Sequence, residues 1–207
     1  NNGSLEVRGG TLEGTDVKSG HVVFVNGTGD ATISGGKIKA KNTYNAAVYA
    51  NNDAAFIKIT GGEIESDRIA VYAAFTPVTV TAGTVKGGTY AFQTRNTTIE
   101  PADGAAVKVE ASNAAFYTFS DSQNVVKGGS VEAPAVTKTY TGEDNGLSVT
   151  GGTFSANVSD YVPSNTPVAT ADKKGGDVGG ATYVVGSKLI ADAANSGDKV
   201  TIIKAGA

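Results

Sequence analysis

The chain has 207 residues, 40% hydrophobic and only 7% aromatic, so a core can be buried but must be thin and built from Val, Ile and Ala. A net charge of −3 with no basic stripe leaves no nucleic-acid footprint, and no apolar run approaches the ~20 residues that span a bilayer. With no cysteine, zinc fingers, disulfide scaffolds and thiol catalysis are excluded.

In chain order one phrase recurs: VRGGTLE at 7–13, ISGGKIK at 33–39, ITGGEIE at 59–65, VKGGSVE at 126–132 and VTGGTFS at 149–155. Between the third and fourth, Ala82-Gly83 stands for the glycine pair, and TIEPADGAAVKVE at 98–110 reads as a copy that has lost it. The period is thus 21 to 26 residues, and such self-similarity marks a stacked repeat. After each glycine pair comes a short strand with an aromatic: HVVFVNG, AAVYANN, IAVYAAF, TYAFQTR and AAFYTFS. A third strand leads to the next glycines: ATIS, FIKIT, VTVT, NVVK, LSVT. Three short strands per unit predict one coil of a parallel β-helix. The expected turn glycines are Gly9, Gly10, Gly35, Gly36, Gly61, Gly62, Gly128, Gly129, Gly151 and Gly152. At least one of Gly61 and Gly62 should have φ > 0, with Ile59 and Ile64 pointing inward on either side of them. Asn26, Asn51 or Asn52, Asn96 and Asn113 read as turn residues forming a partial ladder.

After Ser155 the pattern changes. Residues 1–155 read as the repeats, 156–180 as an irregular connector and 181–207 as a cap segment. In the cap, Ser187 is the expected N-cap of a short helix with Leu189, Ile190, Ala193 and Ala194 at helical spacing, and KVTIIKAG is a new strand.

The Gly-Gly-Thr-Phe copies followed by SANVSDYV resemble the repeat proteins on the surface of Gram-positive gut bacteria, and the tail resembles the segment that caps the first coil of such helices. The resemblance implies an all-β, right-handed parallel β-helix of the pectin-lyase-like class. About six or seven coils are expected, with a C-terminal cap segment containing a short helix. It also implies an extracellular place, on a bacterial cell surface or secreted. One departure is that the cap-like segment stands at the C-terminal end. It either caps this solenoid there or begins another.

Acidic residues are mostly single, and the carboxylate series of the polygalacturonases is absent; Glu63, Glu65, Asp67 and Arg68 read as a solvated charged face. His21, the one histidine, cannot form a dyad and reads as a surface residue, and GTGD at 27–30 as a turn. No catalytic residue, metal site or cofactor is expected, and the chain reads as no enzyme. The aromatics Phe24, Tyr49, Tyr72, Phe92 and Tyr117 should form one ladder, facing either outward with Val23, Val48 and Val71 inside, or inward. Facing outward, they are candidate contacts for a glycan. Open coil ends leave unpaired strand edges, so Leu5, Val7, Leu12, Val200, Ile202 and Ile203 are candidate contacts for head-to-tail self-association or for a neighbouring domain of a longer chain. The absence of a starting Met and of a signal peptide predicts a mature or excised piece of something longer. The functional expectation is a non-catalytic surface or fibre module (stalk, adhesin or filament segment). A carbohydrate-binding module is the alternative, and a relative of polysaccharide lyases or hydrolases a distant third.

Overall fold

The computed structural model describes residues 3–15, 20–41, 46–51, 54–139, 146–173 and 182–206. The chain winds into a β-solenoid of about six turns. The first coil is β1 (Ser4–Val7), β2 (Thr11–Gly14) and β3 (Val23–Val25); the second is β4 (Asp30–Ile33), β5 (Lys37–Ala40) and β6 (Ala46–Ala50). In the next two coils the first two strands fuse across the corner: β7 (Phe56–Ser66) precedes β8 (Ile69–Ala73), and β9 (Val78–Gly87) precedes β10 (Tyr90–Thr94). Then come β11 (Thr97–Ile99), β12 (Val107–Ala111) and β13 (Ala114–Thr118), and after them β14 (Asn124–Val126), β15 (Ser130–Glu132) and β16 (Ala135–Thr139). Strands β17 (Leu147–Val149) and β18 (Gly152–Phe154) begin a last, partial coil.

Three parallel faces result, each a column of inward side chains in register. On the first face Val7, Ile33, Ile59, Val80, Ile99, Val126 and Val149 stack. On the second, Leu12, Ile38, Ile64, Val85, Val109, Val131 and Phe154 stack, at steps within the expected 21 to 26 residues. The third carries Val23, Val48, Val71, Phe92, Phe116 and Thr137. Strand spacing along such a stack is ~4.8 Å, so β-branched side chains nest on one another, and the core is these columns. Ile59 and Ile64 are fully buried, as the spacing predicted.

The glycine corners join the first face to the second. The second glycine has positive φ in every glycine-bearing copy: 75° at Gly10, 78° at Gly36 and Gly62, 101° at Gly83, 91° at Gly129 and 117° at Gly152. The first glycine has a different reason. A Cβ on Gly35, Gly61 or Gly151 would fall inside the carbonyl oxygen of Arg8, Ser34 or Lys127 respectively, each on the preceding coil. Gly9 and Gly10, on the first coil, have nothing within 4 Å of that position. The copy without the pair turns through Pro101 and Gly104 (φ 72°) instead.

Outward positions on the second face alternate in sign from Glu13 through Lys39, Glu65 and Lys86 to Glu110, after which Glu132 stands beside Glu110; Lys37 is beside Glu63 in the next column. Glu65 takes Lys37 at 2.8 Å and Lys39 at 3.2 Å, and Lys108 takes Glu110 at 2.5 Å. The hydrogen bond from Lys37 is the largest cause holding the Glu65 carboxyl below its ordinary value. Exposed pairs of this kind contribute ~0.2–1 kcal/mol each and are screened by salt. Glu65→Lys is therefore expected to cost about 1–2 kcal/mol at low salt and distinctly less at 1 M salt, read from denaturant midpoints.

The C-terminal region corrects two expectations and bears out KVTIIKAG as a strand. The stretch 156–173 is not wholly irregular: it holds a 3-10 turn (Ser159–Tyr161) and strand β19 (Val168–Asp172), while 174–180 lies outside the described residues. Strand β20 (Thr182–Val185) joins β18 antiparallel; β19 joins β20, and β21 (Lys199–Lys204) joins β19, both antiparallel. KVTIIK is thus paired along one edge. Helix α1 (Ser187–Ser196) packs on β19, β20 and β21. Its N-cap is Gly186, with no side-chain cap, so Ser187 is the first helical residue and not the cap; Gly197, in the left-handed region, ends it.

Candidate functional site

The third face carries the aromatic column. Phe24, Tyr49, Tyr72, Gln93, Tyr117 and Lys138 are in register. All six are at least partly exposed, while Val23, Val48 and Val71 are buried, so the column points outward. Phe92 does not belong to it. It stands in register with Val71 and Phe116, is fully buried, and its ring stacks on that of Phe116 at 5.3 Å inside the core. Gln93 occupies the position assigned to Phe92, and Tyr90, beside Tyr117 at 4.8 Å, supplies the aromatic ring of that coil.

The rings stack along the axis because their strands do. Tyr49 and Tyr72 stack nearly parallel, with centroids 4.9 Å apart and 7° between planes. His21 stacks on Tyr49 at 4.1 Å. It belongs to the coil before Tyr49 and Tyr72 to the coil after, so both faces of the Tyr49 ring are covered. Phe24 meets Tyr49 tilted, at 5.4 Å, and remains 46% exposed. A groove of about 330 Å³ is lined by His21, Tyr49, Arg68, Ile69, Tyr72 and Gln93, together with Ala46. That lining holds no carboxylate and no aliphatic hydroxyl; its titratable side chains are His21, Tyr49, Tyr72 and Arg68.

His21 is half-buried in this stack, not a free surface group. Its Nδ1 lies 3.3 Å from the Ala46 carbonyl oxygen. Burial holds the imidazole below its ordinary value, and the bond to Ala46 works against that shift. A lowered folded pKa means the unfolded chain takes up the proton first. The His21 contribution is therefore fully present above the unfolded value of ~6.5 and is lost as pH falls from there through the folded value. Melting temperatures measured between about pH 8 and 5 are expected to decline in the wild type and to decline less in His21→Phe.

Beyond the column's end of the face, the Arg95 guanidinium sits over the Phe75 ring at 4.3 Å and the Phe119 ring at 4.2 Å, and is held by Asp121 at 2.5 Å. Asn26 and Asn51 form one rung of the expected asparagine ladder, Nδ2 of Asn51 donating to Asn26 Oδ1 at 2.6 Å. Asn96 is exposed; Asn113, at a different corner, donates to the Tyr90 hydroxyl; Asn52 lies outside the described residues. The glycan candidates Phe24, Tyr49, Tyr72 and Tyr117 are thus brought together and Phe92 is not. The assembly candidates divide between the two ends: Leu5, Val7 and Leu12 on the first coil, Val200, Ile202 and Ile203 on β21.

Among the described residues no group of three or more His, Cys, Asp or Glu side chains is placed to hold a metal ion. Among the described residues no helix is long and apolar enough to cross a membrane. Comparison with protein-family models, with curated proteins and with solved structures gave no match.

Proposed function

We propose that the chain is a non-catalytic structural module, a stalk or fibre segment displayed on a bacterial surface or secreted, built as a right-handed parallel β-helix of the pectin-lyase-like kind. The Gly-Gly-Thr-Phe resemblance motivates the place, and the near-universal right hand of parallel crossovers motivates the handedness. The observation that carries the functional reading is the sandwich of Tyr49 between His21 and Tyr72. A sugar-binding platform needs a free ring face for the sugar's C–H edge. Here both faces of the Tyr49 ring are used up in holding coil to coil, as are Lys37, Lys39 and Lys108 in ion pairs across the coils.

A second reading, as a carbohydrate-binding module, draws on one observation: Phe24 is nearly half exposed at the end of the stack and, among the described residues, borders no further ring on that side. A glycan array and an assay for reducing or unsaturated ends on pectin and polygalacturonate test both. The structural reading expects no retained glycan and no turnover. A retained glycan released by Phe24→Ala, or turnover lost on changing one Asp or Glu, would overturn it.

A further inference from the structure

A coil of the solenoid makes its ladder bonds with its neighbours and not within itself, so the smallest unit that can form is a pair of coils. Ordering two coils at once costs chain entropy before any further coil can be added. The core columns repeat with similar side chains on every pair; the contacts beyond the columns do not. On the third face the inward column is Val23, Val48 and Val71 in the first three coils, Phe92 and Phe116 in the fourth and fifth, and Thr137 in the sixth. Those two rings are fully buried and stack on each other. Where the chain then bends from β10 into β11, the Thr94 and Thr97 hydroxyls bond at 2.6 Å, and the Ser122 hydroxyl donates to the Thr94 carbonyl at 3.3 Å. Of the eight buried polar residues among those described, six fall between Thr94 and Thr137, so the specific buried bonds are gathered in this half. Outside the same bend Arg95 ties three coils together. Its guanidinium lies against Phe75, which follows β8, and Phe119, which follows β13, and it donates to the Ala74 carbonyl at 3.2 Å and to Asp121.

The fifth coil also differs at its corner. It runs Pro101-Ala102-Asp103-Gly104, and the Ala105 N–H donates to the Ala102 carbonyl at 2.9 Å, a turn that closes on itself. Proline narrows the freedom of the unfolded chain at the same place. We propose that the fourth and fifth coils, residues 78–118, are where the solenoid starts to fold, and that the other coils are laid on this pair in both directions. The pair holds the stacked rings of the core, the Arg95 clamp and the self-closing corner. Asn124 then draws the first strand of the sixth coil onto it through Thr94 and the Thr97 N–H. Coils one to three add by their columns and by exposed ion pairs, which are weak singly. Repeat folds can nucleate at any neighbouring pair, so the pair with the most contacts of its own is the one that starts.

The test compares Ile99→Val, in the fifth coil, with Ile38→Val, in the second. Both residues are fully buried, and each coil is second from an end of the six full coils, so fraying from the ends treats them alike. Stopped-flow folding and unfolding in denaturant should show Ile99→Val slowing folding about threefold. Ile38→Val should change the folding rate by less than about 1.5-fold and speed unfolding instead. Arg95→Gln, which leaves the core untouched, should slow folding as well. Pulsed hydrogen exchange during refolding of the wild type is the second measurement: amides of β10 and β13 should be protected before those of β3 and β6. A folding rate unchanged by Ile99→Val, equal slowing by both valine variants, or protection that appears first in β3 and β6 or everywhere at once would overturn the proposal.

Discussion

Gly61→Val combined with Gly62→Val is expected to abolish the cooperative fold, while Gly9→Val is expected to leave stability within about 0.5 kcal/mol of wild type. Gly62 sits at φ 78°, which a β-branched residue reaches only with ~1–3 kcal/mol of strain, and its Cβ would stand 2.8 Å from the Gly35 carbonyl carbon. At Gly61 the added carbon overlaps the Ser34 carbonyl oxygen of the preceding coil, a backbone atom and not the far end of a flexible side chain. Overpacking of this kind adds ~1–3 kcal/mol, so the pair together should cost on the order of 4–6 kcal/mol. Gly9 has the same sequence context but no coil before it in the described structure, and a Cβ there meets nothing within 4 Å. Chemical denaturation of the two variants side by side checks this. Equal midpoints would show that the corners do not need glycine for the reason given.

The second large effect concerns a polar group inside the solenoid. Asn124 is fully buried in a column that otherwise reads Ala31, Ile57, Val78 and Leu147, apart from its neighbour Thr97. Its Oδ1 accepts from the Thr97 N–H at 2.9 Å and from the Thr94 hydroxyl at 3.0 Å, and its Nδ2 donates to the Thr94 carbonyl at 3.3 Å. Asn124→Leu keeps the volume roughly and deletes the acceptor for both donors. The Thr94 hydroxyl keeps an acceptor in Thr97 Oγ1 at 2.6 Å, but the Thr97 N–H is left without one at a cost of ~1–3 kcal/mol, so a loss of about 2–3 kcal/mol is expected. Adding Thr94→Val and Thr97→Val should recover only part of it, because the backbone N–H of residue 97 remains without its acceptor. Thermal melts of the single and triple variants measure this; a single variant as stable as wild type would show that the network is dispensable.

The coil plan was legible because each coil must repeat its own geometry. The positive φ at Gly62 and the burial of Ile59 and Ile64 both follow from the phrase ITGGEIE. The aromatic register was less so. Taking the aromatic as the fixed point in TYAFQTR aligns Phe92 with Tyr72, one residue out of register. The alanines of the same segments, Ala47, Ala70, Ala91 and Ala115, were the better guide: all four are fully buried members of the core, and counting from them places Phe92 with Val71 and Phe116. The role of His21 was hidden because stacking depends on the ring one coil away, which lies 28 residues along the chain at Tyr49. Strand β19 was missed because VATAD is short and holds its place only through β20 and β21, antiparallel partners from beyond the repeats.

The direction of the hydrogen bonds has a mechanical consequence. In the solenoid they run along the stacking axis, from each coil to the next. A pull on the two ends of the stack therefore loads them in series, one rung at a time, instead of shearing many together. The molecule should yield by peeling terminal coils. Each coil of 21 to 26 residues on the second face would pay out about 70–90 Å of extended chain. Such an element extends in discrete lengths under modest load and shortens again as each coil finds the template left by its neighbour. A tether built this way gives before it breaks.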